Sequence, residues 1–408
     1  MAGRYHLTMP MFADLQPLPP DAILGLSEEY QADPRPGKVS LASGVYVNES
    51  GVTPILDTVA EAERRILAEE TTKLYKPIAG DPAYTRAVRE LLLGAGHPAL
   101  ADDRVETMHT PGGTGALRVA ADLVRRIRPE ATVWMPSPTW PNHPQVFSAA
   151  GLSTASYPYM DPATGTLDTA GMLAALRTIP AGDVVLLHAC CHNPTGIDPD
   201  PATWGSIAEA VEAAGALPLV DFAYQGFGDG LREDAAGLMA LIRPGRELLL
   251  ASSFSKNFAL YDERVGALTL IGATAGEAAT LLTHAKAAVR ANYSNPPAHG
   301  GEIVATVLAD PELRARWEDE VAMMRDRING NRRAFVESLT AAGVPGDHER
   351  LLRQRGMFSL LGLTTDQVRR LKEDHAVFVV GAGRVNVAGL TRANLEPVCR
   401  AIAAVTTA

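Results

Sequence analysis

The chain has 408 residues, 46% of them hydrophobic and 21% charged, which is typical of a globular protein with two or three domains. Its formal net charge of −10 argues against an extended nucleic-acid-binding surface. No apolar run reaches the roughly 18–20 residues of a membrane span, residues 1–20 lack the pattern of a signal peptide, and three cysteines make no disulfide framework. We therefore expect a cytoplasmic protein with no membrane or nucleic-acid partner.

From about residue 55 onwards, helical patterns alternate with short apolar runs. Helices are predicted at 60–69, 116–127, 204–214 and 275–288, and strands at 132–135, 184–187, 217–220, 247–251 and 265–271. This alternation predicts an α/β fold, with a mostly parallel sheet that carries helices on both faces.

After residue 310 the pattern changes. A long, highly charged helix is predicted over residues 313–339, and strands follow at 357–361 and 376–380. We expect a second, smaller α/β domain here, completed by residues from the start of the chain. The expected parts are an N-terminal arm, residues 1–21; a small domain, residues 22–50 and 311–408; and a large domain, residues 51–310.

Polar residues follow four of the predicted strands, at the point where each strand ends. They form the clusters 136–140, 188–195, 221–224 and 253–256. In a sheet of this kind the ligand lies beyond the carboxyl ends of the strands. The sequence therefore predicts that the four clusters share one binding pocket.

The most informative cluster is Ser253-Phe254-Ser255-Lys256, which Arg264 follows eight residues later. Two serines and an arginine make an anion site, and a lysine amine beside a bound phosphate can hold an aldehyde cofactor as a Schiff base. This combination predicts pyridoxal 5'-phosphate. The alternative is an ordinary strand end with polar turn residues, because short motifs often match by chance.

Asp221 ends another apolar run, and a buried carboxylate there needs a cationic or donor partner. A protonated pyridine nitrogen is such a partner, and the ion pair helps the ring to accept electrons. The alternative is a helix or turn cap. Tyr224 and Asn193 are candidate donors to the ring oxygen of the cofactor, and Trp140 is a candidate stacking residue, although each is also typical of core or loop structure.

The turn Gly112-Gly113-Thr114 opens a predicted helix, whose free N–H groups suit a phosphate, although close packing is the alternative. The turn does not match G-x-G-x-x-G, which argues against a nicotinamide oxidoreductase. His188, Cys190, Cys191 and His192 suggest a metal site. Their spacing fits no zinc pattern, and side chains alternate along an extended chain, so no metal is predicted.

Two arginines are candidate partners for substrate carboxylates. Arg384 follows an apolar strand of the second domain, and arginine is the preferred bidentate partner of a carboxylate. The alternative for this residue is a surface ion pair. Arg290 is a candidate second partner, for the distal carboxylate of an acidic substrate.

Together these residues resemble the class I aminotransferases, and more narrowly the aspartate and aromatic amino-acid aminotransferase group of fold-type I pyridoxal-phosphate enzymes. The resemblance extends from Ile23-Leu24-Gly25-Leu26 to the Gly383-Arg384-Val385-Asn386 region. Its most specific motifs are Thr110-Pro111-Gly112-Gly113-Thr114-Gly115, Cys190-Cys191-His192-Asn193-Pro194-Thr195-Gly196, Asp221-Phe222-Ala223-Tyr224 and Ser255-Lys256-Asn257-Phe258.

The resemblance implies a role for each matching residue. Lys256 would be the Schiff-base lysine and the general acid and base, while Asp221, supported by His143, would pair with the pyridine nitrogen. Tyr224 and Asn193 would bind the ring oxygen. The phosphate would be held by Gly113, Thr114, Ser253, Ser255, Arg264 and, from a neighbouring subunit, Tyr75. The substrate would contact Gly44, Trp140, Asn193, Arg384 and the neighbour's Arg290. An obligate homodimer with shared active sites is implied.

The chain also departs from the aspartate-selective pattern of this group, which usually has Leu-Gly-Ile-Gly-Val-Tyr-Lys where residues 41–47 stand. Val47 and Leu74 replace a lysine and an asparagine, which favours an aromatic ring near the pocket. Asn295 and Thr114 match the aspartate-selective pattern, and Ser43 adds a hydroxyl to which no role is assigned. Both acidic and aromatic substrates are therefore expected.

The sequence predicts reversible, ping-pong amino transfer from aspartate or an aromatic amino acid to 2-oxoglutarate. Decarboxylation or elimination at an amino acid is an alternative, because the same cofactor site supports both. A second alternative is a transaminase dedicated to one specialised biosynthetic substrate, either aromatic or acidic. A nicotinamide oxidoreductase and a non-catalytic binding module are disfavoured by the residues above.

Overall fold

The protein is described by a computed structural model that covers residue 12 and residues 14–407. The predicted arm therefore lies largely outside the described residues. The helices are α1 Leu24–Ala32, α2 Asp57–Glu69, α3 Pro82–Leu93, α4 Pro98–Ala101, α5 Gly112–Ile127, α6 His143–Ala149, α7 Thr169–Leu176, α8 Pro201–Ala214, α9 Ala236–Leu241, α10 Ala275–Asn292, α11 His299–Ala309, α12 Pro311–Ala341, α13 Thr365–His375 and α14 Arg392–Thr406. Within the described ranges, none of these helices has the length and apolar character that crossing a membrane requires.

The strands are β1 Val39–Ser40, β2 Val105–Pro111, β3 Thr132–Ser137, β4 Ser153–Pro158, β5 Met160–Asp161, β6 Thr166–Leu167, β7 Val184–His188, β8 Leu217–Phe222, β9 Leu248–Ser253, β10 Val265–Ile271, β11 Phe358–Leu360, β12 Val377–Phe378 and β13 Arg384–Asn386. Seven of them form one sheet in the order β2-β10-β9-β8-β7-β3-β4. The pairs from β9 to β4 are parallel, and β10 is antiparallel to both of its neighbours. The predicted α/β class with a mostly parallel sheet is confirmed.

Both faces of this central sheet are buried, because helices cover both. Along β7, Val184 and Leu186 pack into one hydrophobic cluster together with residues of α5. Val185 and Leu187, which point the other way, pack into a second cluster together with residues of α8. The strand therefore reads as an unbroken apolar run, as expected for a parallel strand between two helical layers.

The remaining strands connect the start of the chain to its end. β1 pairs in parallel with β12, and β11 pairs with β13, so that Leu360 lies opposite Arg384. The N–H of Asn386 donates to the carbonyl of Leu41 at 2.9 Å. This pairing places residues 42–44 beside Arg384. The predicted long helix is confirmed as α12, which begins at Pro311 with Asp310 as its N-cap.

Candidate active site

A cavity of about 760 Å³ lies where the carboxyl ends of the central strands meet the segments that carry Gly44 and Arg384. Of the residues that the sequence predicts to contact the cofactor or the substrate, all but two line this cavity: Gly44, Gly113, Thr114, Trp140, Asn193, Asp221, Tyr224, Ser253, Ser255, Lys256, Arg264 and Arg384. The four polar clusters predicted to converge therefore share one pocket.

Lys256 lies just beyond the end of β9, with its amine 4.7 Å from the centroid of the Tyr224 ring. Burial lowers the pKa of the Lys256 amine to about 8, against the opposing effect of Asp221 and with the help of Arg264 and Arg384. A substantial fraction of the amine is therefore neutral near pH 8. A neutral amine is the form that attacks an aldehyde.

An anion site lies next to this amine, at the N-terminus of α5. Arg264 Nη1 donates to Ser255 Oγ at 3.3 Å and to the Tyr261 carbonyl at 3.0 Å. There is no free room for a side chain at either glycine that opens the helix. A Cβ on Gly112 would lie 2.7 Å from Arg264 Nη2, and one on Gly113 would lie 3.2 Å from the Cβ of Ser253. Helix N–H groups, a guanidinium and two hydroxyls thus form a cradle that fits the phosphate of pyridoxal phosphate.

Asp221 carries a negative charge at the end of β8. His143 Nε2 donates to Asp221 Oδ2 at 3.1 Å, and Thr139 Oγ1 lies 2.8 Å from His143 Nδ1 and 3.2 Å from His188 Nε2. Burial raises the pKa of the Asp221 carboxyl, but the bond from His143 and the nearby positive charges outweigh it, so the net shift is downward. A fixed carboxylate here suits a protonated pyridine nitrogen.

Asn193 connects the cofactor side of the cavity to its substrate side. Its Nδ2 donates to the Tyr224 hydroxyl at 3.3 Å, and its Oδ1 accepts from Arg384 Nη1 at 3.0 Å. The guanidinium carbon of Arg384 also lies 4.2 Å from the centroid of the Phe358 ring. Burial lowers the pKa of Arg384 to about 10, which leaves it charged at neutral pH.

Arg384 keeps N–H groups that a ligand could use. Its Nη1 bonds to Asn193 and its Nη2 to the Ala42 carbonyl, and each of these nitrogens carries a second N–H. Because Arg384 lines the cavity, these groups can donate to a carboxylate bound there. The arrangement therefore suits a carboxylate-bearing ligand.

Some residues that support the site were not predicted in these roles. The carboxylate of Asp198 accepts the N–H groups of Cys191 and His192 at 2.7 and 2.9 Å, and so fixes the backbone that leads into Asn193. Cys191 has a φ of 52°, a conformation that needs such support. The available signal was an acidic residue a few positions beyond the turn, where such side chains bond loop N–H groups. Nothing in the sequence indicated that Phe358 would contact Arg384, because Phe358 appears there as an ordinary strand residue.

His188 and His192, considered above as metal ligands, make other contacts. His188 Nδ1 accepts the N–H of Asn193 at 3.3 Å, and its ring stacks on that of His192 with 4.3 Å between centroids. The imidazole of His188 thereby supports both Thr139 and the Asn193 turn.

Tyr75 and Arg290 do not line the cavity of their own chain. Tyr75 is 91% exposed, and its neighbour Leu74 is 77% exposed. Arg290 is exposed near the end of α10, where it donates to Ser294. Val47 is half-buried, and its N–H donates to the carbonyl of Ala388 at 3.2 Å.

The fold and the cavity define an enzyme that uses pyridoxal phosphate. The chain belongs to the aminotransferase class I and II family, whose model matches residues 36–402. The family predicted from the motifs, the enzyme class and the cofactor are confirmed.

Comparisons with individual proteins agree with this assignment. The chain is 51% identical over 395 residues to an aspartate aminotransferase of Salmonella typhi, covering 97% of this chain and 100% of that one. It is 46% identical over 397 residues to an aromatic-amino-acid aminotransferase of Pseudomonas aeruginosa, covering 97% and 99%. The crystal structure of an aromatic-amino-acid aminotransferase from Burkholderia pseudomallei, covalently bound to pyridoxal phosphate, superposes with a TM-score of 0.94 at 47% identity, covering 98% and 100%.

Proposed function

We propose that this protein transfers the amino group of aspartate or an aromatic L-amino acid to 2-oxoglutarate. The observation that carries the proposal is the continuous set of contacts from Lys256 through Tyr224 and Asn193 to Arg384, which places an amine that can bind an aldehyde and a guanidinium in the lining of one cavity. An enzyme that moves an amino group of an amino acid needs both groups in one pocket.

The cofactor supplies an aldehyde that binds amino groups and a pyridine ring that accepts electrons. We assign its phosphate to Gly113, Thr114, Ser253, Ser255, Arg264 and a partner subunit's Tyr75. Asp221, which His143 holds in place, would keep the ring nitrogen protonated. Tyr224 and Asn193, which bond to each other, would bind the ring oxygen. Trp140 lines the same cavity and would cover the ring, which would exclude water.

In the proposed reaction Lys256 moves the proton. Arg384 would bind the α-carboxylate and hold the Cα–H towards the lysine. Once the amino acid has displaced it from the cofactor, the neutral Lys256 amine would take the proton from Cα and deliver it to the cofactor carbon that holds the amino nitrogen. A pKa of about 8 suits this task, because the group must both accept and release a proton near neutral pH.

The substrate side chain is the open part of the proposal. The chain is 51% identical to the aspartate aminotransferase named above and 46% identical to the aromatic-amino-acid aminotransferase, so sequence identity does not separate the two substrate classes. We infer that the chain accepts both classes: a partner subunit's Arg290 would bind a distal carboxylate, and the apolar Leu74 and Val47 would tolerate a ring.

The experiment is a kinetic panel of aspartate, phenylalanine, tyrosine and tryptophan with 2-oxoglutarate, in which glutamate formation and the 2-oxo acid are both measured. The proposal expects stoichiometric glutamate from aspartate and from at least one aromatic substrate. Carbon dioxide or ammonia without glutamate would instead indicate a decarboxylase or a lyase. A strict preference for one class would limit the proposal to that class.

We further infer a homodimer whose active sites are shared. Exposed apolar side chains between residues 52 and 75 support the inferred dimer. Each of the following is more than half exposed: Val52, Ile55, Leu67, Leu74 and Tyr75. Exposed apolar groups in such number are typical of an interface. Residues Phe12, Leu15 and Leu18 of the arm are also exposed, as expected for a segment that lies on another subunit.

Mixed dimers test this inference. Lys256→Ala and Tyr75→Ala subunits are each expected to be nearly inactive alone, because each lacks a group that every site needs. If Tyr75 acts in the partner's site, then in a mixed dimer one site carries both defects and the other carries neither. Mixing should then restore up to half of the activity per mixed dimer. No recovery, with dimers shown to exchange by mass, would place Tyr75 in its own site.

We assign residues 22–50 and 311–408 to a small domain and residues 51–310 to a large one, supported by the pairing of β1 with β12 and by the start of α12 at Pro311. We also propose a cytoplasmic location, supported by Cys190, Cys191 and Cys399, which are all free thiols.

A further inference from the structure

Helix α1 forms one wall of the cavity but is only lightly packed. Ile23 and Leu24 line the cavity, and Leu24 is 67% exposed. Gly25 is the one buried residue of α1. A helix of nine residues has little stability of its own, so its position depends on the few contacts that hold it.

The end of α1 that is remote from the cavity is well attached. The Tyr30 ring packs edge-on against Phe378 with 5.4 Å between centroids, and Lys38 Nζ donates to the Tyr30 carbonyl at 2.7 Å. Lys372 pairs with Glu29 at 2.6 Å. These contacts fix the C-terminal half of the helix and leave the half next to the cavity without support from them.

The half of α1 next to the cavity is attached through Ser27. Its Oγ lies 3.1 Å from Ser43 Oγ and also donates to the Ile23 carbonyl at 3.1 Å. Because Ser27 has a single hydroxyl proton, Ser43 is the donor of the bond between the two hydroxyls. Asp21 Oδ1, in the preceding loop, also accepts the N–H of Leu24 at 2.8 Å. Within the described ranges, the bond to Ser43 is the one side-chain hydrogen bond that joins residues 24–28 to a segment distant in the sequence.

Ser43 in turn belongs to the segment that holds the substrate-binding arginine. Its carbonyl accepts from Asn386 Nδ2 at 2.8 Å, and the carbonyl of the preceding Ala42 accepts from Arg384. Gly44, which follows, lines the cavity. Ser43 also stands where the aspartate-selective pattern has isoleucine, a side chain that cannot donate a hydrogen bond.

We propose that Ser27 and Ser43 are a pair of positioning residues for substrate binding. The bond between them holds Ile23 and Leu24 over the substrate side chain, at a fixed distance from Arg384. Neither serine takes part in the chemistry. The consequence for substrate binding rests on the amino transfer proposed above, whereas the effect on α1 does not.

The test compares Ser27→Ala and Ser43→Ala with the control Ser206→Ala in the holoenzyme. Ser206, on α8, makes the same kind of bond to the carbonyl four residues earlier, at 3.4 Å, away from the cavity. Hydrogen exchange of the backbone amides of α1 is expected to speed up two- to tenfold in both test variants, the range expected for one neutral hydrogen bond. KM for amino acids should rise by a similar factor with little change in kcat, because uniform binding is lost.

Two more variants separate a specific bond from general damage. Ser43→Thr keeps the hydroxyl and should restore both KM and exchange, and the double variant Ser27→Ala/Ser43→Ala should be no worse than either single one. Wild-type exchange in α1 of both alanine variants, or fully additive effects, would overturn the proposal. If the wild type transferred no amino group, the proposed function would fail, and the exchange data would still decide whether the bond positions α1.

Discussion

Arg384 donates a hydrogen bond to Asn193 over a distance of 3.0 Å, although the two residues are 191 positions apart. Asn193 follows β7 in the central sheet, and Arg384 begins β13 in a separate two-stranded sheet. Because Asn193 also donates to Tyr224, the position of the Arg384 guanidinium depends on that of a group beside Lys256.

Replacing Arg384 by lysine should keep the positive charge but lose the fork of donors. We expect KM for amino-acid substrates to rise about 100-fold, because one bidentate, charge-assisted contact is worth roughly 2–3 kcal/mol. Steady-state kinetics measures it. Arg118→Lys, at the same cavity but paired with Asp122, is the matched control and should change KM less than threefold. Equal KM values for the two variants would contradict the role of Arg384.

Replacing Lys256 by alanine should abolish turnover without unfolding the protein. The anion site around Arg264 and Ser255 does not depend on the lysine, so the cofactor should still bind and should be detectable by its absorbance. We expect kcat to fall at least about 1000-fold, because general base catalysis and the covalent anchor are both lost. Circular dichroism checks the fold. Residual activity within tenfold of the wild type would mean that another group moves the proton.

The depressed pKa of Lys256 also predicts how the stability of the cofactor-free protein varies with pH. The pKa of the amine is about 8 in the folded protein, against 10.5 for an ordinary lysine, so between these values the unfolded chain binds a proton that the folded chain does not. The free energy of unfolding should therefore rise with pH in this window, in the absence of other titrations.

Lys256→Met isolates this contribution. Its excess in unfolding free energy over the wild type should be roughly 3 kcal/mol below pH 8 and should shrink as the pH approaches 10. Urea unfolding of the apoprotein at several pH values measures the difference. Lys286→Met, on α10, is the control. A difference that does not vary with pH would mean that the Lys256 amine is not strongly perturbed.

Arg290→Leu should separate acidic from aromatic substrates. If the partner subunit's guanidinium binds a distal carboxylate, kcat/KM for aspartate should fall about 100-fold or more, while that for phenylalanine should change less than fivefold. A side-by-side kinetic comparison measures both. Equal losses for the two substrates would indicate that Arg290 acts on its own chain, through its bond to Ser294.

The strands that carry the site were the most predictable part of the fold. β7, β8 and β9 are apolar along most of their length, and a polar residue that lines the cavity lies near or shortly after the carboxyl end of each: Asn193, Asp221 and Ser253. This change from apolar to polar residues identifies both the strand and its carboxyl end. β4 was missed because Ser153–Pro158 lies largely exposed at the sheet edge and shows no apolar run. The antiparallel direction of β10 was also not predicted, because an apolar run carries no information about direction.

The site was predictable wherever one residue type determines the chemistry. Lys256, Asp221 and Arg384 were identified because an amine, a carboxylate and a guanidinium each have few reasons to lie at a buried strand end. The supporting contacts of Thr139, Asp198 and Phe358 were not predicted, because they depend on which side chains meet in the folded chain.

The loop between β9 and β10 has a consequence for variation in chain length. The two strands are antiparallel neighbours, and the N–H of Phe254 donates to the carbonyl of Val265 at 3.0 Å, so both ends of the loop are fixed. Lys256 and Arg264 both lie on it. An inserted or deleted residue between them would displace the amine from the phosphate cradle by up to about 3.5 Å, more than a covalent link to a bound cofactor tolerates. The exposed turn before Gly165 should tolerate an inserted residue. The same insertion between Lys256 and Arg264 should abolish activity.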